Sequence, residues 1–100
     1  MQTKFIHTKN LGILTQATTS TDEFKPETCK GVLFLWGEFG GATLVPQMRI
    51  ENGDWVPIVN NDGYDAPVAA YFEVPYCGFR VVAEDATAST NVKAAIRFYK

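Results

Sequence analysis

Five consecutive apolar residues, Val32-Leu33-Phe34-Leu35-Trp36, set the tightest limit on what this chain can fold into. A run of that length, rich in branched and aromatic side chains, is a strand buried on both faces; it is too short to argue for a helix. Gly40-Gly41 follows and supplies the backbone freedom of a tight reversal. From Ala42 the pattern changes to alternation. Ala42, Leu44, Met48 and Ile50 share one face, and Thr43, Gln47, Arg49 and Glu51 the other, as in a half-solvated strand. Asn52-Gly53-Asp54 is a hairpin turn signal that leads to Trp55. Residues 31–58 therefore read as a β-hairpin with a third strand attached. Gly40, Gly41 and Gly53 are its structural corners.

Composition narrows the partners. One hundred residues, 46% hydrophobic and 13% aromatic, suffice for one domain with a sandwich core. Nine basic residues stand against eleven acidic ones, scattered without a block of either sign, for a net charge of −2. Nothing in that distribution offers a footprint for a phosphate backbone, so nucleic acid is not an expected partner. No apolar run approaches the ~18–20 residues of a membrane span, and residues 1–7 lack the apolar core of a signal peptide. The expectation is synthesis in the cytoplasm, with no membrane association. Cys29 and Cys77 each precede a predicted strand. An immunoglobulin-like topology would let them approach, whereas a reducing compartment favours two free thiols.

Along the chain, residues 1–28 differ from the rest. They are rich in threonine and carry the charged stretch 22–27, which suits an N-terminal arm or edge strand followed by a polar loop. Such an arm could add to a neighbouring subunit, which makes Thr15, Thr18 and Phe24 candidate partner contacts and residues 1–20 dispensable for folding. Residues 29–100 form the sandwich domain. Pro57 confines the strand after Trp55 to an edge or bulge, and Pro46 argues the same for the strand before it. Alternating patterns predict strands over 68–74, 79–84 and 92–99, with Phe79, Val81 and Ala83 facing inward. The whole is an all-β chain of six to eight strands in an antiparallel two-sheet β-sandwich, immunoglobulin-like or jelly-roll-like.

No constellation for catalysis emerges. His7, the single histidine, lies in the polar lead-in, away from any nucleophile. Zinc calls for about four Cys or His ligands, against three such residues without paired spacing. Asn60-Asn61-Asp62-Gly63 resembles a calcium loop only superficially, because no distal bidentate acid follows. Gly37, Gly40 and Gly41 fall between strands, where no helix N-terminus waits for an anion. Catalytic, cofactor and metal sites are therefore not expected. Trp36 and Trp55 are expected in the core, and Tyr64, Tyr71 and Tyr76 remain as candidate contacts.

The run Gly37-Glu38-Phe39-Gly40-Gly41-Ala42-Thr43-Leu44-Val45-Pro46-Gln47, then Asn52-Gly53-Asp54-Trp55-Val56-Pro57 and Gly78-Phe79-Arg80-Val81-Val82, resembles the small β-rich virion-associated proteins of tailed bacteriophages. The resemblance covers about residues 31–100. It departs at Pro46, where the family pattern has an apolar strand residue and where regular pairing is expected to suffer, and in the threonine-rich lead-in. It implies a non-enzymatic head decoration, or cement, protein on the outer capsid surface. Such a protein binds between major capsid subunits, as a homotrimer or other small homo-oligomer, and stabilises the shell. The alternative is a head-fibre, neck or tail component that recognises host-surface carbohydrate or protein through exposed tyrosines.

Overall fold

A computed structural model of the chain describes residues 5–25, 29–50, 53–58, 63–74 and 78–99. The described residues form seven strands. They are β1 (Phe5–Thr15), β2 (Cys29–Glu38), β3 (Thr43–Arg49), β4 (Val56–Pro57), β5 (Val68–Val74), β6 (Gly78–Glu84) and β7 (Asn91–Tyr99). All named pairings are antiparallel. One sheet runs β1-β7-β2-β5 and the other β4-β3-β6. The expected two-sheet antiparallel sandwich is what the chain forms.

The expected hairpin across Gly40-Gly41 is not. β2 pairs with β5 and β7, while β3 pairs with β4 and β6, so the glycines carry the chain from one sheet to the other. The turn is closed by the Ala42 N–H donating to the Phe39 carbonyl at 2.9 Å. Both glycines have positive φ, 58° at Gly40 and 88° at Gly41, where a side chain is strained. A local sequence window carries the corner but not the identity of the distant partners, β5 and β7 for β2 and β6 for β3. The β3–β4 pairing is the true hairpin of this region.

Residues 19–24 complete the second sheet. Ala83 N–H donates to Thr19 C=O at 2.7 Å, Thr21 N–H to Val81 C=O at 3.0 Å, and Phe24 and Phe79 exchange backbone bonds of 2.8 and 2.7 Å. The buried Thr21 also accepts the Val81 N–H on its Oγ1 at 2.9 Å. Counted as an irregular eighth strand, this segment gives sheet orders 1-8-3-6 and 2-7-4-5. That is jelly-roll pairing; in an immunoglobulin sandwich the last strand would join the sheet of β3 and β6.

The N-terminal segment is accordingly part of both sheets. β1 is an edge strand on β7, and its Leu14 is completely buried among Leu33, Leu35, Leu44, Phe79, Val92 and Ile96. A register shift between Asn10 and Gly12 places Leu11 as an extra residue and reverses the parity of the strand. Thr8 and Asn10 therefore share the outer face with Ile13, while Leu14 turns inward. Burying each large core side chain contributes roughly 1.5–3 kcal/mol, so losing residues 1–20 would remove far more than a dispensable arm.

Pro46 costs the sheet less than expected. Its carbonyl accepts the Ile58 N–H at 3.1 Å, so its missing donor faces the β4 side, while pairing with β6 continues across it to Arg49. β4 is correspondingly reduced to two residues. Ile50, expected inside, is 81% exposed because β3 ends at Arg49.

Candidate functional site

The run Val32–Trp36 was expected to be buried on both faces, and only one of its faces is. Leu33 and Leu35 enter the core, whereas Val32 and Phe34 are half-buried and Trp36 is 42% exposed on the outer face of the four-stranded sheet. Register defines what lies beside them. On β7, Trp36 pairs with Lys93, Phe34 with Ala95 and Val32 with Arg97. On β5, Val32 pairs with Tyr71 and Phe34 with Ala69. On β1, Ile13 flanks Lys93 and Asn10 flanks Ala95.

The relief of this face follows from side-chain size. β2 presents a ridge of Val32, Phe34 and Trp36. β7 presents long Lys93 and Arg97 on either side of the small Ala95, so a trough runs beside the ridge. Two open hollows lie over β7. One, of about 320 Å3, is bounded by Asn10, Gly12, Ile13, Trp36, Lys93 and Ala94. The other, of about 340 Å3, is bounded by Thr8, Asn10, Phe34, Trp36, Ala95 and Arg97. Ile13 at 48% and Tyr71 at 56% exposure extend the apolar surface toward both sheet edges. Aromatic and aliphatic side chains mixed with Arg on a rigid sheet suit adhesion to another surface.

A second cluster lies on the three-stranded sheet. The Trp55 ring is covered by two guanidinium groups, Arg80 at 4.2 Å and Arg49 at 4.7 Å from its centroid. Arg80 Nε donates to Gln47 Oε1 at 2.8 Å, and Arg49 donates to both Glu23 carboxylate oxygens at 2.6 and 3.2 Å. The hydrogen bond from Arg49, above all, holds the Glu23 carboxyl below its usual range, and the same bond raises the Arg49 pKa. Burial, and then the charge of Arg49, lower that of Arg80. Trp55 is thus half-buried under cations rather than in the core. The cluster fastens the segment after β1 to the end of β3.

The candidate contact residues do not gather. Thr15 and Thr18 close a turn on each other at the end of β1, through bonds of 2.9 and 3.1 Å. Phe24 is half-buried against the core and bridged to Phe79, with the Lys9 ammonium 5.6 Å from its ring centroid. Tyr64 is half-buried and exchanges two backbone bonds with Leu44. It borders, with Tyr71, a narrow crevice between the sheets. Tyr76 and Cys77 lie outside the described residues, as do residues 59–62 and the side chain of Cys29.

Gly40 sits where an added Cβ would meet Ser89, Thr87 and Thr90 atoms at 2.9 Å. Gly41 has open space around it, and Gly53 N–H donates to Ile50 C=O at 2.7 Å. The residues that sequence reasoning did not single out are Ile13, Phe34, Lys93, Ala95 and Arg97. Their signal was present in the large-small-large pattern of Lys93, Ala95 and Arg97 on one strand face. No protein-family model matches this chain, and neither a curated protein nor a solved structure does.

Proposed function

We propose that this chain is a non-enzymatic structural protein of a tailed-phage virion, and specifically a capsid decoration protein. It binds the outer head surface between major capsid subunits as a small homo-oligomer and stabilises the shell. The structural observation that carries the assembly role is the outward ridge of Val32, Phe34 and Trp36, large apolar side chains held on a stiff sheet. The sequence resemblance over residues 31–100 supplies the particle. Jelly rolls serve capsids and lectins alike, so the fold supports the role by analogy alone. An assembled shell offers many neighbouring sites at high effective concentration, and modest contacts summed over an oligomer then suffice for retention.

The host-recognition alternative depends on a cluster of exposed tyrosines, and it draws less support because Tyr64 is half-buried and tied to Leu44. Counting copies separates the two. In virions of the phage that encodes the chain, quantitative mass spectrometry should find it in a simple stoichiometric ratio to the major capsid protein. A few copies per particle, or none, would overturn the decoration role.

A further inference from the structure

The four-stranded sheet has an even number of strands, with its midline between the ridge strand β2 and the trough strand β7. A two-fold axis along that midline, in the plane of contact, exchanges the two columns. β2 of one copy then lies over β7 of the other, and β5 lies over β1. Register determines which residues meet. Trp36 lands over Lys93 of the second copy, Phe34 over Ala95 and Val32 over Arg97.

Phe34 therefore meets the small Ala95, and Trp36 meets a cation, the face-on partner an indole favours. The Trp36 indole enters the hollow bounded by Ile13, Gly12 and Lys93, and Phe34 enters the one bounded by Asn10 and Ala95. Ridge and trough are side by side on one surface, which is the condition for an isologous contact.

We infer that the outer face of the four-stranded sheet is covered by a second copy of this chain, related by a two-fold axis between β2 and β7. This gives the self-contact of the oligomer in the proposed function and rests on that reading for its biological setting. Size is compatible. Four strands about 4.8 Å apart and about 27 Å long present on the order of 500 Å2 in plan, before side-chain relief is added. A standard interface removes about 800 Å2 of accessible surface per partner. Sheets packed face to face keep their strands within about 30° of parallel, which preserves the contacts nearest the axis. Symmetry makes each aromatic–cation contact occur twice.

Sedimentation equilibrium of the full chain tests the inference without any phage component. The wild type should be a dimer. Trp36→Glu should be monomeric with an unchanged far-UV spectrum, since the indole lies outside the core. Lys93→Glu should weaken dimerisation at least tenfold, through two lost aromatic–cation contacts. Ile50→Asp, at an exposed position just beyond the end of β3, should leave the dimer intact. A wild type that stays monomeric at high concentration overturns the inference, as does a dimer that Trp36→Glu leaves unchanged. Either result leaves the copy-number test of the decoration role standing.

Discussion

Glu23 and Arg49 meet in a charged hydrogen bond of 2.6 Å although 26 residues separate them in sequence. The bond joins the segment completing the second sheet to the last residue of β3. Because Arg49 depresses the Glu23 pKa in the folded state, the contribution is fully present above the unfolded carboxylate pKa of about 4.3. It is lost as pH falls through the lower folded value. Both side chains are partly exposed, so the effect is small and sensitive to salt. Thermal unfolding between pH 7 and pH 3 should show a steeper acid loss for the wild type than for Glu23→Gln. Identical pH profiles would mean that the pair contributes nothing.

Neighbouring residues on β1 should differ sharply, because strand alternation sends Ile13 and Leu14 to opposite faces and the bulge at Leu11 sets which of them turns inward. Leu14→Ala leaves a hole in the fully buried core and should cost about 2–5 kcal/mol in denaturant unfolding. Ile13→Ala should cost less than about 1 kcal/mol. Deleting residues 1–20 should abolish cooperative unfolding. A folded, stable truncation would show that β1 is peripheral.

The two corner glycines should also separate. Both have positive φ, which costs a residue with a side chain roughly 1–2 kcal/mol. At Gly41 the surrounding space is open, so Gly41→Val should lose about that much through the backbone alone. Gly40→Ala adds a clash with backbone atoms of Ser89 and Thr90 and should be the more damaging variant. Melting temperatures in the reverse order would contradict this geometry.

Thr90 holds the opposite wall of that corner. Its buried hydroxyl donates to the Phe39 carbonyl at 2.9 Å and accepts the Thr87 N–H at 2.9 Å. Thr90→Val keeps the shape and leaves the Thr87 N–H without its acceptor, at about 1–3 kcal/mol at most, while the Phe39 carbonyl keeps its bond from the Ala42 N–H. Denaturant titration should show the loss, and a neutral substitution would mean that water replaces the hydroxyl.

Strands with clean alternation were legible in the sequence. β5, β6 and β7 fall within a residue or two of the segments 68–74, 79–84 and 92–99, and Phe79, Val81 and Ala83 face inward as their spacing requires. What local pattern does not encode is the choice of partner. Leu35 and Leu44 are separated by a corner that looks like a hairpin, yet they enter the core from different sheets. Trp36 lies outside the core, against the expectation from its apolar run, for a related reason. An apolar run gives no sign that one face lies on a sheet exterior, and only the pairing with Lys93 reveals it. The threonine-rich lead-in hid Leu14 because the bulge breaks the alternation that would have marked it as core.

The measurement that bears most directly on the proposed role is co-sedimentation of the purified chain with empty, undecorated phage heads, with host-cell envelopes run in parallel. The account predicts saturable binding to heads and a gain in their resistance to heat. Binding to envelopes without binding to heads would contradict it and move the function to host recognition.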